Sequence, residues 1–250
     1  KIVFMGVPKE NHDFYSWDIY IWNLLSDHPI NLTANNGLRD EDPKFSPNGN
    51  EIVFKQNGDL VVMDLINDTM IHTTNNGFSI EQSMPYFKTD NQNIIYAQGA
   101  GISSDIYLIN KDGTDDQPLE NIINIQEYYP ITWTNSIFLY TRWVSVSNHH
   151  DQIYLGYFSG ENSQSLPFND ENADDSDPFP VNSDFVFFSS NRSGGQGGWD
   201  IYLGDKNSST TWEMDEFNLN TSIHELGACY FSNISDLQIG DECVTDNGDI

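Results

Sequence analysis

An aspartate-led phrase, Asp-Ile-Tyr or a close variant, recurs along this chain and constrains its fold more than any other feature. It stands as Trp17-Asp18-Ile19-Tyr20, Gly58-Asp59-Leu60-Val61, Ser104-Asp105-Ile106-Tyr107, Asp151-Gln152-Ile153-Tyr154 and Trp199-Asp200-Ile201-Tyr202. An apolar run precedes each copy: Ile2-Val3-Phe4, Ile52-Val53-Phe54, Ile94-Ile95-Tyr96, Phe138-Leu139-Tyr140 and Phe185-Val186-Phe187-Phe188. After a polar strand, an acidic loop leads into an element starting at Pro43, Pro85, Pro130 and Pro178, with Cys229 at the matching place in the last copy. Those starts lie 42, 45, 48 and 51 residues apart, the length of a four-stranded propeller blade of roughly 40–50 residues. A unit of that size cannot bury a core alone, so the repeats must stack.

The expected fold is therefore all-β, a β-propeller of four-stranded blades. With the proline-started strand labelled A, the apolar strand B, the Asp-Ile-Tyr strand C and the polar strand D, the N-terminus supplies B, C and D of a first blade but no A. Complete blades follow from about residues 40, 81, 126 and 174, and a final A-like strand, Gly227-Ala228-Cys229-Tyr230-Phe231-Ser232, is left over. Its simplest use is to supply the missing strand of the first blade, giving five blades closed by the C-terminal strand. A six-bladed ring with a shortened last blade is the alternative. Residues 1–235 then form a single propeller and 236–250 a tail, which a Cys229–Cys243 disulfide would pin in an oxidising compartment.

Charge narrows the partners. Asp and Glu number 38 against ten Lys and Arg, a net charge of −28; such a field repels nucleic acid and anionic lipid surfaces and favours a soluble monomer. No apolar run is long enough to span a bilayer, so the chain is not expected to be membrane-embedded.

Two stretches carry a resemblance to a known family. Asn31-Leu32-Thr33 through Asp40-Glu41-Asp42-Pro43-Lys44-Phe45-Ser46-Pro47-Asn48-Gly49, and Ser189-Ser190-Asn191-Arg192 through Trp199-Asp200-Ile201-Tyr202, resemble the TolB-like, WD-related β-propeller repeat. The resemblance implies an exported protein, periplasmic or secreted, of the bacterial cell envelope, acting as a scaffold that binds a protein segment or a glycan. It transfers no catalytic residue, because the shared positions are strand, turn and packing positions.

In a propeller the D-to-A and B-to-C connections open on one face. Carboxylates from successive D-to-A loops, Asp40, Glu81, Glu127, Asp175 and Glu225, are thereby expected to meet at an acidic channel mouth, where mutual repulsion invites a hard cation such as Ca²⁺. Turn capping by the same acids is the simpler use of them. Among the B-to-C segments, Arg142 and Arg192 follow comparable strands and are candidates for gripping a ligand carboxylate or sulfate, or for pairing with Glu127 and Asp175. Trp143, His149 and His150, with His12 on another loop, complete the candidate ligand site. Adjacent histidines on a strand point in opposite directions, which argues against both holding one metal. The expected function is a non-catalytic binding module. The alternative is a carbohydrate-active enzyme, a polysaccharide lyase or glycosidase, working through rim carboxylates.

Overall fold

The structure is a computed structural model that describes residues 1–7, 17–34, 36–77, 80–100, 103–214 and 219–227. His12, both cysteines, the strand expected around Cys229 and the tail 236–250 lie outside the described residues. Backbone contacts gather the chain into two compact units, Lys1–Ser136 and Ile137–Ile250.

Five antiparallel sheets follow one another along the chain. The first holds β1 (Ile2–Gly6), β2 (Asp18–Trp22) and β3 (Ile30–Asn31). The second runs β4 (Asp40–Phe45), β5 (Glu51–Gln56), β6 (Asp59–Asp64) and β7 (Thr69–His72), and the third β8 (Glu81–Phe87), β9 (Asn93–Ala100), β10 (Ser103–Asn110) and β11 (Gln117–Glu120). Then come β12 (Glu127–Thr132), β13 (Ile137–Ser145), β14 (Asn148–Tyr157) and β15 (Gln164–Ser165), followed by β16 (Asp175–Pro180), β17 (Phe185–Ser190), β18 (Asp200–Asp205) and β19 (Thr211–Glu213). Each sheet is a meander in sequence order, so the chain is an all-β propeller of five blades, as the repeat requires, rather than six. Among the described residues no helix is long and apolar enough to cross a membrane.

The apolar runs are explained by burial on both sides of a blade. In β5 and β6, Ile52, Phe54, Val61 and Met63 pack with Ile19 of the first blade. Their alternate neighbours Val53, Leu60 and Val62 pack with Phe87, Ile94, Tyr96 and Ile109 of the third. Strand periodicity thus sends successive residues to two different cores, and a strand with both faces buried reads as continuously apolar.

The A strands differ from the sequence reading in one respect. They begin at Asp40, Glu81, Glu127 and Asp175, not at the prolines, which sit inside them. A proline in a strand interior removes a ladder donor and is confined to bulges and edges. Here the residue before each proline adopts a left-handed backbone: Asp42 (φ 55°), Met84 (φ 53°), Tyr129 (φ 49°) and Asp177 (φ 50°). The pairing register shifts at Glu41/Lys44, Ser83/Tyr86 and Ser176/Phe179. Each non-glycine residue in this region costs roughly 1 kcal/mol, and in the first unit the cost is offset by new hydrogen bonds. Met84 N–H donates to Asp42 Oδ2 at 3.2 Å, and Tyr129 N–H donates to Met84 Sδ at 3.4 Å. Successive blades are stitched bulge to bulge.

A second device replaces part of the short D strands. Thr33 Oγ1 accepts from Ile19 N–H at 2.9 Å and Thr74 Oγ1 from Leu60 N–H at 2.8 Å. At the equivalent places Asn169 and Asn220 accept from Ile153 and Ile201 N–H and return a bond from Nδ2 to the carbonyl of the same residue. A side-chain amide thereby stands in for one residue of a strand ladder.

Candidate functional site

The hairpin β13–β14 has the longest strands of any B-to-C pair among the described residues. The sequence reading places a loop from Trp143 to His150; in the structure the strands continue to Ser145 and resume at Asn148, leaving a turn of Val146 and Ser147. Ser145 Oγ closes that turn by accepting from Asn148 N–H at 3.0 Å. Alternation along the paired strands then separates the candidate residues. Arg142 pairs with Gln152 and Trp143 with Asp151, so they face opposite ways.

On one face the rings of Trp143 and His149 stack with centroids 4.0 Å apart and planes 15° from parallel. His149 Nε2 lies 3.0 Å from the Val146 carbonyl, which fixes the ring beneath the turn. His149 is exposed, and Val146 at the tip is 57% exposed. On the other face the Arg142 guanidinium carbon sits 4.3 Å above the Tyr154 ring centroid. His150 turns from its neighbour, its Nδ1 3.1 Å from Asp174 Oδ1, and the same oxygen accepts Asp151 N–H at 3.1 Å. The two histidines therefore diverge, as their adjacency on a strand demands.

Arg192 is used differently from Arg142, although both follow apolar B strands. It lies beyond the end of β17, where its Nη2 meets Asp175 Oδ1 at 2.7 Å, with Asp175 fully buried. Nε donates to Ser190 Oγ at 3.0 Å and Nη2 also reaches the Phe168 carbonyl at 3.3 Å. The guanidinium covers Phe188 and Tyr202 at 4.9 and 5.0 Å. Every side of this group is engaged by the protein, so it locks the loop before β16 onto the fifth blade.

The five acids expected at a channel mouth are placed one by one. Asp40, Glu127 and Asp175 are fully buried and Glu225 is 4% exposed. Asp40 accepts from Gln56 Nε2 at 2.9 Å and Asn36 Nδ2 at 2.7 Å; Asp175 accepts from Asp170 N–H at 2.7 Å as well as from Arg192. Glu225 takes Thr221 N–H at 3.2 Å and the Thr221 hydroxyl. At these three places the carboxylate holds its own turn. Burial pushes the pKa values of both Asp40 and Asp175 up, outweighing the hydrogen bonds and, for Asp175, the arginine. Glu81 points outward to Lys55 Nζ at 2.9 Å; the buried position of its blade is the next residue, Gln82. Gln82 N–H donates to the Gly58 carbonyl, just before Asp59 of the preceding blade, as Asp40 N–H does to the carbonyl before Asp18 and Glu225 N–H to the one before Asp200. Sequence reasoning missed Gln82 because a neighbouring acid drew the assignment one residue early. Among the described residues, no three His, Cys, Asp or Glu side chains gather to hold a metal ion.

No protein-family model matches the sequence, and no curated protein matches it. Likeness appears among solved structures. The chain superposes on TolB from Acinetobacter baumannii with a TM-score of 0.68 at 14% identity, covering 90% of this chain and 54% of that one. A putative TolB from Agrobacterium tumefaciens gives 0.64 at 16% identity, covering 79% and 69%. An oligogalacturonate lyase from Vibrio parahaemolyticus gives 0.60 at 12% identity, covering 79% and 58%. The chain thus spans about half the length of the first of these proteins. Identities this low show a shared fold alone, and that fold is the β-propeller of the TolB-like structures.

Proposed function

We propose that this chain is an exported, non-catalytic binding module that grips a partner segment or glycan through the β13–β14 hairpin of its fourth blade. The observation that carries the reading is the composition and build of that hairpin. In a chain with 38 acidic residues, none occurs between Glu127 and Asp151. The hairpin instead offers a stacked Trp143–His149 pair under an exposed Val146. Binding surfaces are enriched in aromatic residues and arginine and depleted of Asp and Glu at their centres, and rigid aromatic groups contribute most there. Loops on a rigid propeller scaffold are where such specificity is expected to reside. The buried, turn-holding state of Asp40, Asp175 and Glu225 moves the proposed locus away from the acidic mouth expected from sequence.

The test is a panel of immobilised peptides and polysaccharides probed with wild-type protein, Trp143→Ala and Val146→Asp. The expected result is a ligand that is bound without being consumed and released by both substitutions, with melting temperature unchanged for Val146→Asp. Turnover of a polysaccharide, or binding indifferent to both substitutions, overturns the reading. Calcium belongs to the same proposal as an accessory ion, and repeating the panel with calcium and with chelator decides its part.

A further inference from the structure

Six basic side chains in the described residues meet a carboxylate: Arg39 with Glu41, Lys55 with Glu41 and Glu81, Lys88 with Asp90, Lys111 with Glu51, Lys206 with Asp184, and Arg192 with Asp175. Arg142 does not. Its side chain donates no hydrogen bond among the described residues, and its Nε is buried without an acceptor. In a chain of net charge −28 a guanidinium has no shortage of acids to choose from. Leaving one without an anion, partly desolvated, runs against the general cost of burying an unpaired charge.

The Tyr154 ring explains how the group is held. A ring face 4.3 Å below the guanidinium carbon attracts the cation and orients its plane. Such a contact uses the face of the group and leaves its edge unused. Arg142 is only partly buried, so the terminal nitrogens remain within reach of solvent while Nε is sealed. An oriented guanidinium edge matches a carboxylate through two parallel N–H···O bonds.

We infer that Arg142, seated on Tyr154, is a subsite for a single carboxylate carried by an otherwise weakly charged polypeptide. This rests on the hairpin being the binding locus, and it adds the chemistry of what binds. The charge of the chain selects against polyanions during approach, since its field is repulsive. Screening confines that field to about 8 Å at physiological ionic strength, so one carboxylate already in contact is governed by the guanidinium beside it. The exposed, apolar Val146 at the tip of the same hairpin favours a peptide with apolar side chains over a polyuronate.

The experiment follows the Arg142 Nε–Hε resonance of ¹⁵N-labelled protein during titration with three probes: N-acetyl-Leu-Phe as the free acid, the same dipeptide as its C-terminal amide, and trigalacturonate. The free acid is expected to shift the resonance and to bind at least tenfold more tightly than the amide. Arg142→Lys, which keeps the charge and loses the fork, is expected to weaken the acid at least tenfold, and Arg142→Gln to bring acid and amide to the same affinity. Equal binding of acid and amide by wild type, tighter binding of trigalacturonate than of the dipeptide acid, or an Arg142→Gln variant that still prefers the acid would each overturn the inference. Because these probes are small and defined, the outcome is separable from the hairpin reading. A panel ligand indifferent to Trp143→Ala and Val146→Asp sinks that reading even where the carboxylate shift at Arg142 is seen.

Discussion

Met84 donates its backbone N–H to the Asp42 carboxylate at 3.2 Å, joining two residues that occupy the same left-handed position in successive blades. The bond gives the strained backbone a physical purpose. Without an acceptor from the neighbouring blade, the Met84 amide has no ladder partner at the register shift. Asp42→Ala is expected to destabilise the protein by about 1.5–3 kcal/mol, the worth of a hydrogen bond to a charged acceptor. Asp42→Asn keeps an acceptor and tolerates positive φ, so it is expected to cost less than half as much. Urea denaturation of the two variants checks the difference.

Asn220 should be less forgiving. It accepts Ile201 N–H at 2.7 Å and donates to the Ile201 carbonyl at 3.0 Å while only 4% exposed. Asn220→Ala leaves both backbone groups unmatched, for a loss of about 2–3 kcal/mol. Asn220→Asp sets a carboxylate against the carbonyl and is expected to cost at least as much. Comparison of their unfolding midpoints tests whether the side chain truly substitutes for strand pairing.

Acid titration should separate two kinds of carboxylate. Burial works against the charged form of Glu41, but hydrogen bonds from Arg39 and Lys55 prevail and hold its pKa below the usual 4.5. The unfolded chain then binds a proton first, so the stability from Glu41 is full above pH 4.5 and is lost as pH falls through the folded value. Asp40 and Asp175 have the opposite sign. Their pKa values are raised from 3.8, so the folded state binds the proton first and their contribution declines as pH rises from 3.8 through the folded values. Glu41→Gln is expected to flatten the fall in melting temperature on acidification below pH 4.5, a measurement calorimetry makes directly.

The Asp175–Arg192 pair is expected to be costly to break singly. Asp175→Asn or Arg192→Met leaves a buried charge without its partner, at about 3–5 kcal/mol. The double variant should recover part of that loss, since neither charge then remains buried. A double-mutant cycle measured by chemical denaturation would show it; additive losses would mean the ion pair is not the coupling element.

Much of the fold was legible because the repeat and the burial pattern are local properties. The Asp-Ile-Tyr phrase marked every C strand, and the runs such as Ile52-Val53-Phe54 marked strands buried on both faces. The errors came where the register moves by one residue, which turns a side chain to the other face. Glu81 reads as the inward acid where Gln82 is buried, and Arg142 and Arg192 read as equivalent although one lies inside a strand and the other beyond its end. The prolines read as strand starts because a left-handed residue inside a strand is not visible in sequence when it is Asp, Met or Tyr rather than glycine. The hairpin site was half legible: its residues were named, but their division between Trp143–His149 and Arg142–Tyr154 depends on a turn of two residues at Val146 and Ser147 that read as a longer loop.

The bulge-to-bulge bond is asymmetric, with a side chain on one blade and a main-chain amide on the next. Every amino acid except proline carries that amide, so the receiving copy needs no particular residue to be docked. Duplicated segments can therefore drift far apart in composition and still seat beside their neighbours. Oxygen from Asp42 and sulfur from Met84 fill the same role here, which is that tolerance already in use.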